Sequence, residues 1–391
     1  MESKKPIYLD YHATTPVDPR VMNAMLPYFT EVFGNPASKN HTYGNEAFKV
    51  VEESRETLAK AINARPQEIV FTSGATESIN LAIKGTALAN RSRGKHFITV
   101  ATEHKAVLDC FEWLADNGFE TTILPVDSAG LLDPAQVANA IRPDTILVAV
   151  MTANNEIGVL QPLEEIGKIS RERGVYFMTD ATQALGKVPL DVQRLNVDLL
   201  AASSHKVYGP KGVGFLYVRR SNPRVAMECI MHGGGHEKGL RSGTLATPNI
   251  VGLAKAVEIS LKEMTKEQER IRQFRDHLQQ SLLTAIPDAK VNGNLQHRLA
   301  GNLNITFPGG ESEALMIALK SEIAVSSGSA CTTAAVLPSH VLKALGLSDS
   351  QSHSTIRFGL GRFTQATDVD AAAAVLAPAV HRLQAFRSAS V

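Results

Sequence analysis

From residue 68 to residue 218 the sequence repeats one pattern, and that pattern restricts the fold more than anything else in the chain. Short apolar runs (EIVFT, HFITV, TTILPV, TILVAVM, VYFMT, VDLLAA and GFLYV) are separated by segments with helical spacing, such as ATESINLAIKGTALA and PLEEIGKISRERG. Strands alternating with helices predict an α/β domain around a mostly parallel sheet. GFLYV follows the preceding glycine loop too closely for a crossover helix, so one strand is expected to run antiparallel.

Pro248 opens a helical stretch that runs to about Ile286 and is long enough to bridge two domains. Beyond it LNITF, EALMIALK, IAVSS, SHVLKALG and STIRFGL outline a smaller α/β unit, closed by a helix over 367–386. The expected division is a large domain over 15–260 and a small one built from 1–14 and 261–391. A chain of 391 residues with 44% hydrophobic and 20% charged content can fill two such cores. Forty basic against thirty-nine acidic residues leave a net charge of +1, which argues against nucleic acid or a membrane as partner. The longest aliphatic runs are strand-sized, far short of the ~20 residues of a membrane helix. The opening MESKKPIYLDYHATTP holds no signal-peptide core, because Asp10 interrupts its apolar run. Cys110, Cys229 and Cys331 are too few and too scattered for a disulfide framework or a zinc cluster. A reducing, cytoplasmic setting is expected.

Ligands of open α/β sheets bind beyond the carboxyl ends of the strands, and the unusual polar residues fall there. In EIVFTSGATESINLAI a strand meets a helix at Gly74, Ala75 and Thr76, where free N–H groups and the positive end of the helix dipole make an anion site. His104 stands at the next strand-to-helix junction, Asn154, Asn155 and Glu156 after TILVAVM, and Asp180 with Gln183 after VYFMT. In AASSHKVYGPKGVGF, Ser203, His205 and Lys206 end a buried strand and precede three glycines. Each signal is weak alone. Jointly they form the inventory that pyridoxal 5′-phosphate requires: donors for the phosphate, an acid for the ring nitrogen, and a lysine amine for the aldehyde. HTYGNEA and GPKGVG do not match G-x-x-x-x-G-K-[ST], and no G-x-G-x-x-G follows the first strand, so nucleotide readings lack their motif. Cys110 and Cys229 read as packing residues. Cys331, in IAVSSGSACTTAAVLPSH, lies among small polar residues without apolar periodicity, the setting of a loop thiol able to act as a nucleophile. Arg357 and Arg362, in STIRFGLGRF, offer a carboxylate fork, one of them for structure.

Over nearly its whole length the sequence resembles the cysteine desulfurases of the IscS/NifS type, within the fold type I pyridoxal-phosphate enzymes. The resemblance rests on FGNPAS, EIVFTSGATES, TEHKAVLD, NNEIG, DATQALGK, SSHKVYGPKG, MHGGGHEKGLRSGT, VSSGSAC and IRFGLGR. It implies a seven-stranded, mostly parallel sheet with a small C-terminal α/β domain. It implies that Lys206 carries the cofactor, and that Ala75, Thr76, Ser203 and His205 bind its phosphate. Thr244 is expected to reach the phosphate of a neighbouring subunit, which makes the enzyme a homodimer with shared active sites. Asp180 is expected on the pyridinium nitrogen, Gln183 on the phenolic oxygen, and His104 stacked on the ring and helping to move protons. Asn155 and Arg357 are expected to hold the substrate carboxylate.

The implied reaction takes L-cysteine to L-alanine, Lys206 moving protons while the Cys331 thiolate attacks the substrate sulfur and becomes a persulfide. The sulfur would pass to an iron–sulfur scaffold protein and other acceptors, tRNA thiolation among them, and Cys331 is a candidate ligand of a transient [2Fe–2S] cluster. The VSSGSAC setting resembles the IscS/NifS group rather than SufS and the selenocysteine lyases. A selenocysteine lyase or another pyridoxal-phosphate transferase is the alternative reading. His12 stands where many relatives have a smaller or amide residue, and the sequence gives it no role. Several members continue in a longer tail associated with scaffold docking, so a docking mode that needs that tail is not expected of a chain stopping at Val391.

Overall fold

A computed structural model describes residues 5–327 and 337–389. Its strands are β1 (Ile7–Tyr8), β2 (Ile69–Thr72), β3 (His96–Val100), β4 (Glu120–Leu124), β5 (Thr145–Ala149), β6 (Tyr176–Asp180), β7 (Leu199–Ser203), β8 (Gly214–Val218), β9 (Lys290–Val291), β10 (Asn302–Thr306), β11 (Ile323–Ala324) and β12 (Thr355–Gly359). A seven-stranded sheet takes the order β2-β8-β7-β6-β5-β3-β4. Only β8 runs against its neighbours β2 and β7, so the six other strands point the same way. The seven apolar runs are these seven strands, including the antiparallel one.

The runs are continuous rather than alternating because both sheet faces are covered. Phe71, Val148, Phe177 and Phe215 point into one core, with the helices Thr42–Ala61 and Leu163–Glu172. Their neighbours Val70, Leu147, Met178 and Leu216 point into the other, with the helices Ala75–Ala89 and Lys105–Asp116. HTYGNEA is the opening of the Thr42–Ala61 helix, entered through His41, whose Nδ1 accepts from the Gly44 N–H.

The long helix spans Thr247–Ala285, and its two halves face different cores. Ile250, Leu253 and Val257 pack under the large sheet. Ile271, Leu278 and Leu282 join a separate core with Leu303, Ile305, Phe358 and the Ala366–Ala389 helix. There β12, β10 and β9 form an antiparallel sheet. IAVSS meets it only at Ser326, which bridges Arg357 of β12, while Ile323–Ala324 pairs with Ile7–Tyr8 in a two-stranded parallel sheet. The N-terminal segment continues alongside β12, where the Gly359 N–H donates to Leu9 O at 2.7 Å. Arg362 is structural. It donates to Glu267 at 2.6 Å and Asp18 at 2.8 Å, and its guanidinium lies 4.1 Å from the Tyr208 ring centre. No described helix is long and apolar enough to cross a membrane.

Candidate active site

Beyond the carboxyl ends of the parallel strands lies a cavity of about 600 Å3, in the size range of a small-ligand site. Chain order reverses there, with β4 on one side of β3 and β5 on the other. Ala75, Thr76, His104, Asn155 and Asp180 line it, and so do Gln183, Ser203, His205, Lys206 and Arg357. Ten expected residues from distant parts of the chain thus border one space. Thr244 is exposed and is not among them. Cys331 falls outside the described residues, so the nucleophile and cluster-ligand readings concern a position of which nothing is described.

The Ala75–Ala89 helix begins at Gly74, which supplies no side-chain cap. Gly74 has φ +153°, a conformation that favours glycine, and it lets the chain turn from β2 straight into the helix. The first N–H groups of the helix therefore keep their donors for the cavity. Gly214 allows this turn to sit close: a Cβ there would lie 2.4 Å from Ala202 O and 2.7 Å from Gly74 Cα.

Ser203 is the last residue of β7, and a single 3-10 turn, Ser204–Lys206, presents the next two polar residues. Lys206 Nζ donates to the carbonyl oxygens of His12 and Ala13, each at 2.6 Å. His205 Nδ1 lies 3.1 Å from Thr14 Oγ1. Burial, with the Lys206 and Lys211 cations, pushes His205 down to about 4, so its ring is neutral at physiological pH.

Asp180 ends β6 and is buried, with Oδ1 accepting from the Thr182 N–H at 2.9 Å. His104 caps the Lys105–Asp116 helix, its Nδ1 accepting from the Ala106 N–H at 3.1 Å. In the neutral ring the proton is therefore on Nε2. Glu103, one residue earlier, is buried and accepts from the Met151 N–H at 2.6 Å. Burial, helped by the charge of Asp180, pushes its carboxyl well above the usual range, so it is held protonated behind the site.

Arg357 reaches the cavity from β12. It donates to Asp10 Oδ1 at 2.8 Å and to Asn155 O at 3.0 Å, and its buried Nε has no partner among the described residues. Asn155 Oδ1 and Thr182 Oγ1 are likewise buried, unpartnered and on the cavity wall. Glu156 faces away and accepts from Ser339 Oγ at 2.5 Å. Burial pushes it up to about 7, against the Ser339 hydroxyl and the Arg357 charge.

Sequence reasoning missed Asp10, Thr182, Glu103 and the part played by His12. Asp180 and Glu103 follow buried strands in the same way, and only the three-dimensional contacts separate a cavity carboxylate from a buried protonated one. Cys110 is a buried packing residue, its thiol pushed up to about 11 by burial. Cys229 is not: it is only partly buried, and its thiol donates to Met231 O at 2.9 Å. The apolar residues beside it packed elsewhere, leaving the thiol to a loop carbonyl.

The Aminotransferase class-V family model matches residues 7–372. A relative named Cysteine desulfurase IscS, from Anaeromyxobacter dehalogenans, is 55% identical over 97% of this chain and 94% of its own. The human protein named Cysteine desulfurase is 51% identical over 94% of this chain and 80% of its own. Among solved structures, one titled NifS-like protein superposes with a TM-score of 0.88 at 35% identity, covering 98% of this chain and 99% of its own. Another, titled SspA in complex with cysteine, gives 0.79 at 38%, covering 92% and 99%. The chain belongs to the class-V aminotransferase family and, within it, to the cysteine desulfurases.

Proposed function

We propose that the protein converts L-cysteine to L-alanine and passes the sulfur to Cys331 as a persulfide, with pyridoxal 5′-phosphate held in the cavity. The observation that carries the reading is the gathering of an amine, a carboxylate, a histidine and uncommitted donors around one space. These residues fit the cofactor. The uncapped N–H groups after Gly74, with the hydroxyls of Thr76 and Ser203 and the ring of His205, suit a phosphate. Buried polar atoms without partners on the wall, Asn155 Oδ1 and Thr182 Oγ1, are what a site completed by a polar ligand leaves behind.

Lys206 would hold the cofactor, which would supply an electron sink that makes the α-proton of an amino acid removable. Asp180 is held by the Thr182 N–H in position to keep a ring nitrogen protonated. Glu103, itself protonated, adds no second charge. When the amine of Lys206 is free, the carbonyls of His12 and Ala13 hold it, and from there it can take up and return the α-proton. Arg357 and Asn155 offer N–H donors to the substrate carboxylate, Asp10 fixing the guanidinium. The Cys331 thiolate then attacks the substrate sulfur. An S–S bond forms as the C–S bond breaks, and protonation of the carbon completes alanine.

The pairing of subunits is supported by two surfaces. Thr244 is exposed outside its own cavity, and Leu26, Phe29, Phe33 and Tyr43 form an exposed apolar stretch that a second copy could cover. Delivery to an iron–sulfur scaffold protein and other acceptors in the cytoplasm follows the same reading. So does the division into a large domain over 15–260 and a small one of 1–14 with 261–391.

The test is an absorption spectrum of the purified protein before and after L-cysteine with a reductant, assaying sulfide and alanine together. A visible band that shifts with cysteine, with equal sulfide and alanine, is expected, and borohydride reduction should fix the cofactor on the Lys206 peptide. A wild-type protein that forms no band with added cofactor overturns the reading.

A further inference from the structure

Lys187 and the ring of His12, neither assigned a role so far, meet at Gln183. His12 is buried, and its carbonyl oxygen accepts from Gln183 Nε2 at 2.9 Å as well as from Lys206. On the other end of the same amide, Lys187 Nζ donates to Gln183 Oε1 at 3.3 Å, and His12 Nδ1 lies 3.0 Å from that oxygen. A side-chain amide is normally ambiguous, because its N and O can exchange places. Here one outer partner settles it: a backbone carbonyl can only accept, so the amide nitrogen must face His12 O. The amide is therefore locked with its nitrogen toward His12 O and its oxygen toward Lys187. The His12 ring faces two acceptors, Gln183 Oε1 at 3.0 Å from Nδ1 and Gly301 O at 3.3 Å from Nε2.

The lock decides what the cavity sees. Gln183 lines it, one N–H of the amide is spent on His12 O, and the second N–H is uncommitted among the described residues. Lys187 borders a small second cavity with Tyr208, Leu299 and Gly301 and not the main one, whereas His12 borders both, so Lys187 reaches the site only through its partners. Burial and the Lys206 cation push Lys187 down to about 7, and the charge of Glu267 opposes them. Charged or neutral, its amine remains a donor.

We propose that Lys187 is a positioning residue that acts through Gln183: it holds and polarises the amide so that only an N–H is offered to the ring of the bound cofactor. This rests on the reading that the cavity holds pyridoxal phosphate with its ring beside Gln183. Hydrogen bonds in series strengthen one another, so a donor on Oε1 makes the opposite N–H a better donor to an oxygen on the ring.

The test titrates the cofactor's absorption band against pH in the wild-type holoenzyme, Lys187→Met, Gln183→Ala and the double variant. Lys187→Gln, which keeps a donor without a charge, is the second probe should the methionine variant fold poorly. Lys187→Met and Gln183→Ala are expected to move the midpoint in the same direction. The double variant should move it no further than Gln183→Ala alone, because residues in one network do not add. Lys187→Met is expected to lower kcat about tenfold with KM for L-cysteine changed less than about twofold, and Lys187→Gln to recover part of the loss. A midpoint unchanged by Lys187→Met, or an effect just as large without Gln183, overturns the inference and leaves the cofactor reading intact. Absence of the band in the wild type overturns both.

Discussion

Gly214→Ala should uncouple cofactor binding from folding. Gly214 pairs with Thr72 on one side and Ser203 on the other, at the end of the sheet where the proposed phosphate donors lie. The added Cβ would lie 2.4 Å from Ala202 O, 2.7 Å from Gly74 Cα and 2.9 Å from Gly74 C. All three neighbours are backbone, so no side chain can swing aside, and the strand or the Gly74 turn must move. Overpacking of this kind costs about 1–3 kcal/mol. If the shift is taken up at Gly74, that cost falls on the phosphate site, where ~1.4 kcal/mol is a tenfold loss of affinity. Titrating the apoprotein with pyridoxal phosphate and following the visible band should therefore show affinity lowered about tenfold or more. Gly118→Ala is the control. It also has positive φ, +80°, but a Cβ there meets nothing within 4 Å. It should lose about 1 kcal/mol of stability through backbone strain alone, with cofactor affinity unchanged. Unaltered cofactor affinity in Gly214→Ala, or equal losses in both variants, would refute the argument that this close approach shapes the phosphate site.

Two further outcomes follow from buried charge. Arg362→Met should strand the carboxylate of Glu267, which is 8% exposed, and leave Asp18 with Arg20 alone. A loss of about 3–5 kcal/mol is expected, read as a lower thermal midpoint in the apoprotein, and a midpoint within a degree of wild type would contradict it. Glu103 has its pKa raised by folding, so its contribution to stability is complete at acid pH and is lost as pH climbs through the raised value. Glu103→Gln keeps an acceptor for the Met151 N–H and removes the titration. The variant should therefore gain on wild type as pH rises from 6 to 9 in thermal melts, and parallel curves would show that the carboxyl is already ionised in the folded protein and contradict the raised value.

How much of this was legible in the sequence depends on how local each signal was. Most of the seven strands could be read because a strand buried on both faces is apolar over nearly its whole length, as in Thr145–Ala149 and Leu199–Ser203, although Glu120–Leu124 is only partly buried. The antiparallel direction of β8 followed from the short connection before it. The edge positions of Asp180, His104 and Lys206 followed from the ends of those runs. What escaped was set by contacts between remote parts of the chain. Ile7–Tyr8 pairs with Ile323–Ala324, and Asp10 pairs with Arg357, across more than three hundred residues of sequence. Two-residue strands leave no periodicity to read. His12 holds Lys206 and Gln183 chiefly through its backbone carbonyl, which any residue type supplies, so its identity carried no signal for that role. The Thr42–Ala61 helix is polar along most of its length and begins at a histidine cap, which hid it among phosphate-loop look-alikes.

The central claim is that sulfur leaves the substrate by way of Cys331, and intact-protein mass spectrometry tests it most directly. Holoenzyme is given L-cysteine without reductant, alanine is quantified, and the modified cysteine is located by peptide mapping. The account predicts one added sulfur atom on Cys331, matched by an equivalent of alanine, and neither added sulfur nor sulfide release in Cys331→Ala. Full alanine formation in Cys331→Ala, or the added sulfur on Cys110 or Cys229, would contradict it.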